Sequence, residues 1–185
     1  MDRGYLGTTI DQIAERAGVS KPTVFANVGN KRTVLKELYD ETLAGDAEPV
    51  AVIQRSWYQE ALTAPDAQTT LRLYARNVVQ ILLRVAELEE VIRNASAADP
   101  ELREVRAASE AQRRVGAATV VDAVSAKTPL KAGIDRERAI DILWTLNTGD
   151  PYRRLVGSCG WSPDRYQHWL ADLFCDQLLG TPPGP

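Results

Sequence analysis

Apolar residues recur at intervals of three and four along most of this chain, and no stretch alternates apolar with polar residues long enough to make a strand. The pattern predicts an all-α protein, and capping chemistry divides it into elements. Thr9, followed three residues later by Gln12, forms a capping box, so a helix starts at Ile10 with Ile10, Ile13, Ala14 and Ala17 on one face. Gly18 supplies the left-handed position that ends this helix and turns the chain. Ser20 caps the next helix, and Pro22 sits in its first turn, where a missing N–H costs nothing. That second helix runs to about Val28, Gly29 stops it, and a third helix from Lys31 to about Ala44 turns Val34, Leu35 and Leu38 inward. A short helix presented by its predecessor across a sharp turn is a helix-turn-helix, whose second member reaches base edges in a DNA major groove.

The segment Gly45-Asp46-Ala47-Glu48-Pro49 reads as the joint between a helix-turn-helix domain, residues 1–45, and a larger helical domain, residues 46–185. In the second domain the pattern predicts a helix from about Val50 to Leu62 and a long one from Ala67 to Ala97, interrupted near Ala86. Further helices follow from Pro100 to about Lys127 and from the Asp135 cap to about Asn147. Asp150-Pro151 begins a short turn ending near Gly160, and Ser162-Pro163 opens the last helix, which ends at Leu179. On that helix Tyr166, Trp169, Leu170, Leu173, Phe174 and Leu178 make a wide apolar stripe, and Ile140, Leu143, Trp144 and Leu146 do the same on the helix before. Such stripes serve either an isologous two-fold contact, giving a homodimer through residues 135–147 and 162–179, or the core of one protomer.

Charge sharpens the picture of the first domain. From Arg16 to Lys36 every ionisable residue is basic (Arg16, Lys21, Lys31, Arg32 and Lys36), in a chain whose formal net charge is −3. One basic face on an acidic protein confines nucleic-acid binding to that face. The run Thr8-Thr9-Ile10 with Ile13-Ala14 and Ala17-Gly18-Val19-Ser20, then Pro22-Thr23-Val24-Phe25 and Gly29-Asn30-Lys31, resembles the DNA-binding signature of the TetR (tetracycline repressor) family of bacterial regulators. The resemblance implies that Lys21, Pro22 and Thr23, with Phe25, Ala26 and Asn27 after them, face the groove. It further implies that Lys31 holds a phosphate, with Thr9 and Lys21 assisting. Phe25 and Asn27 stand where the family usually has tyrosine and tyrosine or histidine: Phe25 lacks the hydroxyl that touches phosphate, and Asn27 is shorter. Ala26 offers an apolar contact, for example to a thymine methyl. In that family another helix precedes the Gly4-Tyr5-Leu6-Gly7 turn, where only Met1, Asp2 and Arg3 stand here. The expectation is therefore a chain cut short or given a misplaced start. Ile10, Ile13, Val24 and Val28 then lack a packing partner, at about 1.5–3 kcal/mol for each side chain left exposed, and DNA binding is weakened or lost.

At 185 residues, with 44% hydrophobic and 25% charged, the chain is long enough for a sizeable core. No apolar run approaches the roughly eighteen residues of a membrane span, and no export signal is visible, so a cytoplasmic location is expected. Cys159 and Cys175 are expected to be reduced thiols. The TetR resemblance implies a ligand pocket in the larger domain. Trp57, Tyr58, Tyr74 and Trp144 fall on different helices and, with Asn77, are its candidate lining, while Arg76, Arg84 and Asn94 are candidate orienting groups. The plainer account of each is core packing or solvated surface.

Enzyme chemistry finds little support. His168 is the only histidine, so a histidine cluster for metal is impossible and a catalytic base lacks partners. Glu87, Glu89 and Glu90, and likewise Asp40 and Glu41, read as solvated helix faces. Gly157-Ser158-Cys159-Gly160 lacks the lysine and the strand of a phosphate-binding loop. No enzyme, cofactor or metal is expected. The sequence reads as a one-component transcriptional regulator, a repressor whose affinity for a near-palindromic operator is set by a small-molecule effector. The alternatives are a ligand-binding helical dimer that no longer engages DNA, and a small helical enzyme or carrier.

Overall fold

The computed structural model describes residues 4–46, 48 and 50–180. Two residues of the expected joint, Ala47 and Pro49, lie outside them, as do 1–3 and the tail 181–185. Among the described residues there is no strand. The helices are α1 (Ile10–Ala17), α2 (Lys21–Asn27), α3 (Lys31–Ala44), α4 (Ser56–Leu62), α5 (Ala67–Ser96), α6 (Pro100–Ser125), α7 (Arg136–Leu146), α8 (Gly149–Tyr152) and α9 (Pro163–Leu178).

The caps act as the residue types predict. Thr9 Oγ1 accepts from the Gln12 N–H at 3.3 Å while Gln12 Oε1 accepts from the Thr9 N–H at 3.0 Å. Gly18 ends α1 at φ 69°, the left-handed region that a side chain would strain. Ser20, Asp66, Asp99, Asp135 and Ser162 cap α2, α5, α6, α7 and α9 by accepting from N–H groups of the first turn.

Three elements differ from expectation. The helix expected from Val50 begins only at Ser56, after a 3₁₀ turn over Val52–Gln54. The cause is Arg55, 8% exposed, whose guanidinium is drawn back to Asp46 at 2.5 and 2.9 Å and to the Glu48 carbonyl at 3.2 Å. No break occurs near Ala86: α5 has neither glycine nor proline, and its buried residues continue through Leu82, Val85, Ala86 and Leu88 to Ile92. Beyond α8 the chain widens into a π-type turn over Arg153–Ser158.

α5 is the spine against which α3, α4, α6, α8 and α9 pack. The main core gathers Leu71, Val78, Val79 and Leu82 of α5, Val120, Val121 and Val124 of α6, Leu143 of α7, and Tyr166, Leu170, Phe174 and Leu178 of α9. Phe174 stacks on Tyr74 with ring centroids 5.6 Å apart. A second cluster joins Leu35 and Tyr39 of α3 to Val85, Leu88 and Ile92 of α5 and Leu102 of α6, so the third helix of the first domain is rooted in the body of the second. The third cluster, among the described residues, is Ile10, Ala14 and Val24 with Ile13 and Val34 packed against them. At Gly116 a Cβ would stand 3.2 Å from the Tyr58 hydroxyl, which donates to the Gly116 carbonyl at 2.8 Å; the glycine permits the approach of α4 to α6.

The α9 stripe is used within the protomer. Tyr166, Leu170, Phe174 and Leu178 are fully buried along α5, leaving Trp169 and Leu173 half-buried. The buried part of the α9 stripe is thus used against α5 and that of α7 against α6 and α9, while Ile142, Leu146, Trp169 and Leu173 stay half-buried.

Candidate functional site

α1 and α2 meet across Gly18, with the Val19 N–H returning to the Ala14 carbonyl at 3.0 Å. Val24 is the one residue of α2 that is buried, against Ile10 and Ala14. Ile10 and Val24 are thus covered, contrary to expectation, because these three side chains close on one another; Ile13 and Val28 are half-buried. An apolar groove of about 800 Å³ remains beside them, lined by Tyr5, Ile13, Val34, Leu35, Leu38 and Val91 among others.

Burying Val24 turns the rest of α2 outward. Lys21, Pro22, Thr23, Phe25, Ala26 and Asn27 are all exposed, and Phe25 keeps 48% of its surface in water although nothing in the fold requires it there. The residues expected to face a groove share one accessible helix. The basic residues behave less uniformly. Lys21 pairs with Asp11 at 2.9 Å and Lys36 with Asp40 at 2.5 Å. Arg32 reaches across to Asp99 at 2.7 Å and Glu101 at 2.9 Å, holding the Asp99 carboxyl below the usual carboxylate range and tying the start of α3 to the start of α6. Lys31 differs from its expected role. Its ammonium donates to the Tyr5 and Thr8 carbonyls, each at 2.9 Å, and lies 4.1 Å from the Tyr5 ring centroid, so it braces the turn before α1 instead of facing outward. Thr9 is exposed, with its hydroxyl oxygen capping α1.

The larger domain holds a cavity of about 680 Å³ walled by Asp40, Leu43 and Ala44 of α3, by Val50–Ile53, and by α4, α5 and α6. Tyr58, Tyr74 and Asn77 line it together, joined by Asn147. Trp57 and Trp144 do not join them. Trp57 packs edge-on to Tyr58 at 6.0 Å on the rim of the core, and its carbonyl accepts from Asn77 Nδ2 at 2.9 Å. Trp144 faces a separate cavity of about 350 Å³ and donates from Nε1 to the Glu110 carbonyl at 3.2 Å. The candidate orienting groups are engaged elsewhere as well: Arg76 with Glu60 at 2.7 Å and Asn94 with Glu90 at 3.1 Å. Arg84 donates to the Thr42 and Leu43 carbonyls at 3.0 and 2.8 Å, holding the end of α3 to α5. Among the described residues no group of His, Cys, Asp or Glu is placed to hold a metal, and no helix is long and apolar enough to cross a membrane.

Residues 1–38 match the family described as "Bacterial regulatory proteins, tetR family". The match covers the helix-turn-helix and the greater part of α3. Its overall fold is similar to that of a TetR family transcriptional regulator, PfmR from Thermus thermophilus, at a TM-score of 0.61 and 16% identity, covering 99% of this chain and 91% of that one. It is also similar to SCO3833, a member of the TetR transcriptional regulator family from Streptomyces coelicolor, at a TM-score of 0.55 and 15% identity, covering 94% and 82%. The protein is a DNA-binding transcriptional regulator by its N-terminal helix-turn-helix, which matches the tetR family model, and it carries a larger helical domain in a TetR-like fold.

The residues joining the two domains are ones that sequence spacing did not single out. Glu89, expected on a solvated face, is half-buried and accepts from the Gly149 N–H at 3.2 Å. The Tyr39 hydroxyl of α3 stands 3.4 Å from Glu89 and 3.0 Å from Ser109 Oγ. Burial, with Glu89 beside it, pushes the Tyr39 phenol up to about 12. Burial also raises the Glu89 carboxyl above its usual value, against the opposing pull of Arg113. A carboxyl raised by folding binds its proton more tightly in the native state than in the unfolded chain. Its contribution to stability is therefore present at low pH and declines as pH climbs from the ordinary glutamate value, about 4.3, through the raised one. Glu89→Gln keeps an acceptor for Gly149 and removes the charge. Its melting temperature should match wild type near pH 4 and exceed it by about 2–4 °C at pH 8. Melting curves at the two pH values check this, and a variant less stable at pH 8 would show that Glu89 is needed charged.

Proposed function

We propose that the protein is a repressor that binds a near-palindromic operator as a homodimer and releases it when a small molecule fills the 680 Å³ cavity. The observation that carries this reading is the shared wall of that cavity. Asp40, Leu43 and Ala44 belong to the last turns of α3, whose first turn follows α2 directly, while Tyr58, Tyr74 and Asn77 belong to the body. A molecule that fits best when these turns stand apart from α5 displaces the helix that carries the reading head. Such a ligand acts only through its preference for the unbound conformation; moving operator occupancy from nearly full to nearly empty takes about 5.5 kcal/mol of differential affinity.

A two-fold pair of recognition helices reads half-sites about one helical turn apart. The half-buried apolar residues of α7 and α9, Ile142, Leu146, Trp169 and Leu173, support the last two long helices as the place where two copies meet. Groove-facing roles fall to Lys21, Pro22, Thr23, Phe25, Ala26 and Asn27. The work is binding and not catalysis: His168 is exposed and, among the described residues, engages only the Asp164 carbonyl of its own helix, at 2.8 Å. It takes place where the operator is, in the cytoplasm.

The test is selection of fragments from random-sequence DNA by the full chain, followed by affinity measurements across a salt series. A palindromic site bound with a log–log salt slope near about −7, corresponding to roughly eight neutralised phosphates, is the expected result. A single half-site bound with a slope shallower than about −4 would show a monomeric reader. Recovery of no site by a folded protein would refute the operator role itself.

A further inference from the structure

Polar atoms on the wall of the effector cavity keep hydrogen-bonding capacity that the fold leaves open. The Tyr74 hydroxyl, on a side chain 2% exposed, accepts from Asn147 Nδ2 at 3.0 Å, and its own hydrogen meets no acceptor among the described residues. Burial raises the Tyr74 phenol, so that hydrogen stays in place at any ordinary pH. Asn77, one turn along α5 and 4% exposed, donates to the Trp57 carbonyl, but its Oδ1 receives no donor among the described residues. Asn147 Oδ1 stands open in the same way among them. The Tyr58 hydroxyl, by contrast, is complete, with the Gly116 carbonyl at 2.8 Å and Thr119 Oγ1 at 3.1 Å. Among the described residues the sealed side-chain atoms without a partner are Arg55 Nε and Tyr166 Oη, so the Asn77 and Asn147 oxygens face accessible space on the cavity wall, where a ligand with matching polar atoms can meet them.

The remaining wall is apolar, with Val52, Ile53, Val78 and Ile81, and the charges in reach are matched or lie at the rim. Arg113 donates to the Glu110 carboxylate and to the Asn147 carbonyl. The rim carries Asp40, Glu41, Asp46 and Glu48, of which Asp46 is paired with Arg55 and Asp40 with Lys36. An organic anion entering here passes carboxylates and then meets a cation already engaged. An organic cation loses its water against valine and isoleucine with no carboxylate at the inner end. Either loss is large in an apolar site, whereas a neutral group brings no such cost.

We infer that the effector is an uncharged, largely apolar molecule bearing a carbonyl or hydroxyl group, which takes the free Tyr74 hydrogen and meets the open oxygens of Asn77 and Asn147. The inference rests on the cavity being the effector site, and it assigns Tyr74, Asn77 and Asn147 as the residues that set ligand specificity. A space of this size suits a drug-sized ligand, with few polar groups fixing its orientation.

The full chain, without DNA, is titrated calorimetrically with three probes on one skeleton: 2-acetylnaphthalene, 2-ethylnaphthalene and 2-naphthoate. The acetyl probe should bind about tenfold more tightly than the ethyl probe, the margin of one buried hydrogen bond, and about a hundredfold more tightly than the carboxylate. Tyr74→Phe should abolish the first margin, bringing the acetyl and ethyl probes to within about twofold of each other. Asn147→Ala, which keeps the Tyr74 hydroxyl, should narrow the margin about threefold and serves where the phenylalanine variant folds poorly. Equal affinity for acetyl and ethyl probes, a margin indifferent to both substitutions, tighter binding of naphthoate, or no binding of any probe would each overturn the inference. Operator DNA has no part in this readout. Probes that bind in the expected order yet fail to release the operator refute the effector reading while the ligand class stands.

Discussion

Replacing Ala26 by glutamate is expected to reduce operator affinity at least about a hundredfold at moderate salt while leaving the melting temperature within about 1 °C of wild type. Ala26 is exposed in the last turn of α2, on the helix whose other outward side chains are Lys21, Pro22, Thr23, Phe25 and Asn27. In water a glutamate there touches nothing the fold depends on, and surface changes of this kind usually alter stability by less than about 0.5 kcal/mol. Seated in a major groove, the same carboxylate lies between two rows of phosphates and loses its water. Like charges brought together at an interface cost several kcal/mol, and about 2.7 kcal/mol already makes a factor of one hundred. Fluorescence anisotropy on labelled operator, paired with a thermal melt, separates the two effects. Undiminished affinity in a folded variant would show that α2 is not the reading helix.

Phe174→Ala is expected to destabilise the fold by about 3–5 kcal/mol, a large part of the roughly 5–15 kcal/mol that holds a typical domain together. Phe174 is fully buried where α9 crosses α5, and its ring stacks on Tyr74. Removing it takes away the transfer energy of the ring and leaves a void that the long, unbroken α5 is poorly able to collapse into. At about 2–4 °C per kcal/mol for a chain of this length, the melting temperature should drop by about 6–20 °C. A urea titration showing a lowered midpoint at unchanged slope would assign the loss to native packing. A drop below about 1 kcal/mol would mean that α9 is not seated on α5 as described.

How far the sequence discloses this architecture depends on whether the signal is local. Caps are local, so the starts of α1, α2, α3, α5, α6, α7 and α9 are legible from Thr9, Ser20, Asn30, Asp66, Asp99, Asp135 and Ser162. The onset of α4 is not, because Arg55 is held by Asp46 through a side-chain fold-back that carries no periodicity. The reading helix is visible as a face, with the one buried position, Val24, falling between exposed neighbours. The cavity is only half visible: Tyr58, Tyr74 and Asn77 meet there, but whether an aromatic residue faces inward or sideways is decided by helices far away in sequence, and Trp57 and Trp144 face other surroundings. Lys31 illustrates a different limit. Its positive charge is evident, but that two carbonyls of the Tyr5–Thr8 turn claim it is a matter of tertiary distance. Glu89 yields to closer attention to spacing. It follows Leu82 and Val85 and precedes Ile92 at helical intervals, which places it on the buried side of α5 despite its charged neighbours Glu87 and Glu90.

The smallest of the three clusters, Ile10 with Ala14 and Val24, holds α1 and α2 together, while α3 is anchored in the body through Leu35 and Tyr39. The helix-turn-helix is consequently the part of the described structure least supported by buried apolar side chains. It is expected to open at lower cost than the α5–α9 body, because less apolar surface is removed from water when it closes. Bound DNA then does for this head what a larger core does elsewhere: each phosphate contact to the closed form lowers the population of the open one, so affinity for the operator and order in the head rise and fall as a single quantity.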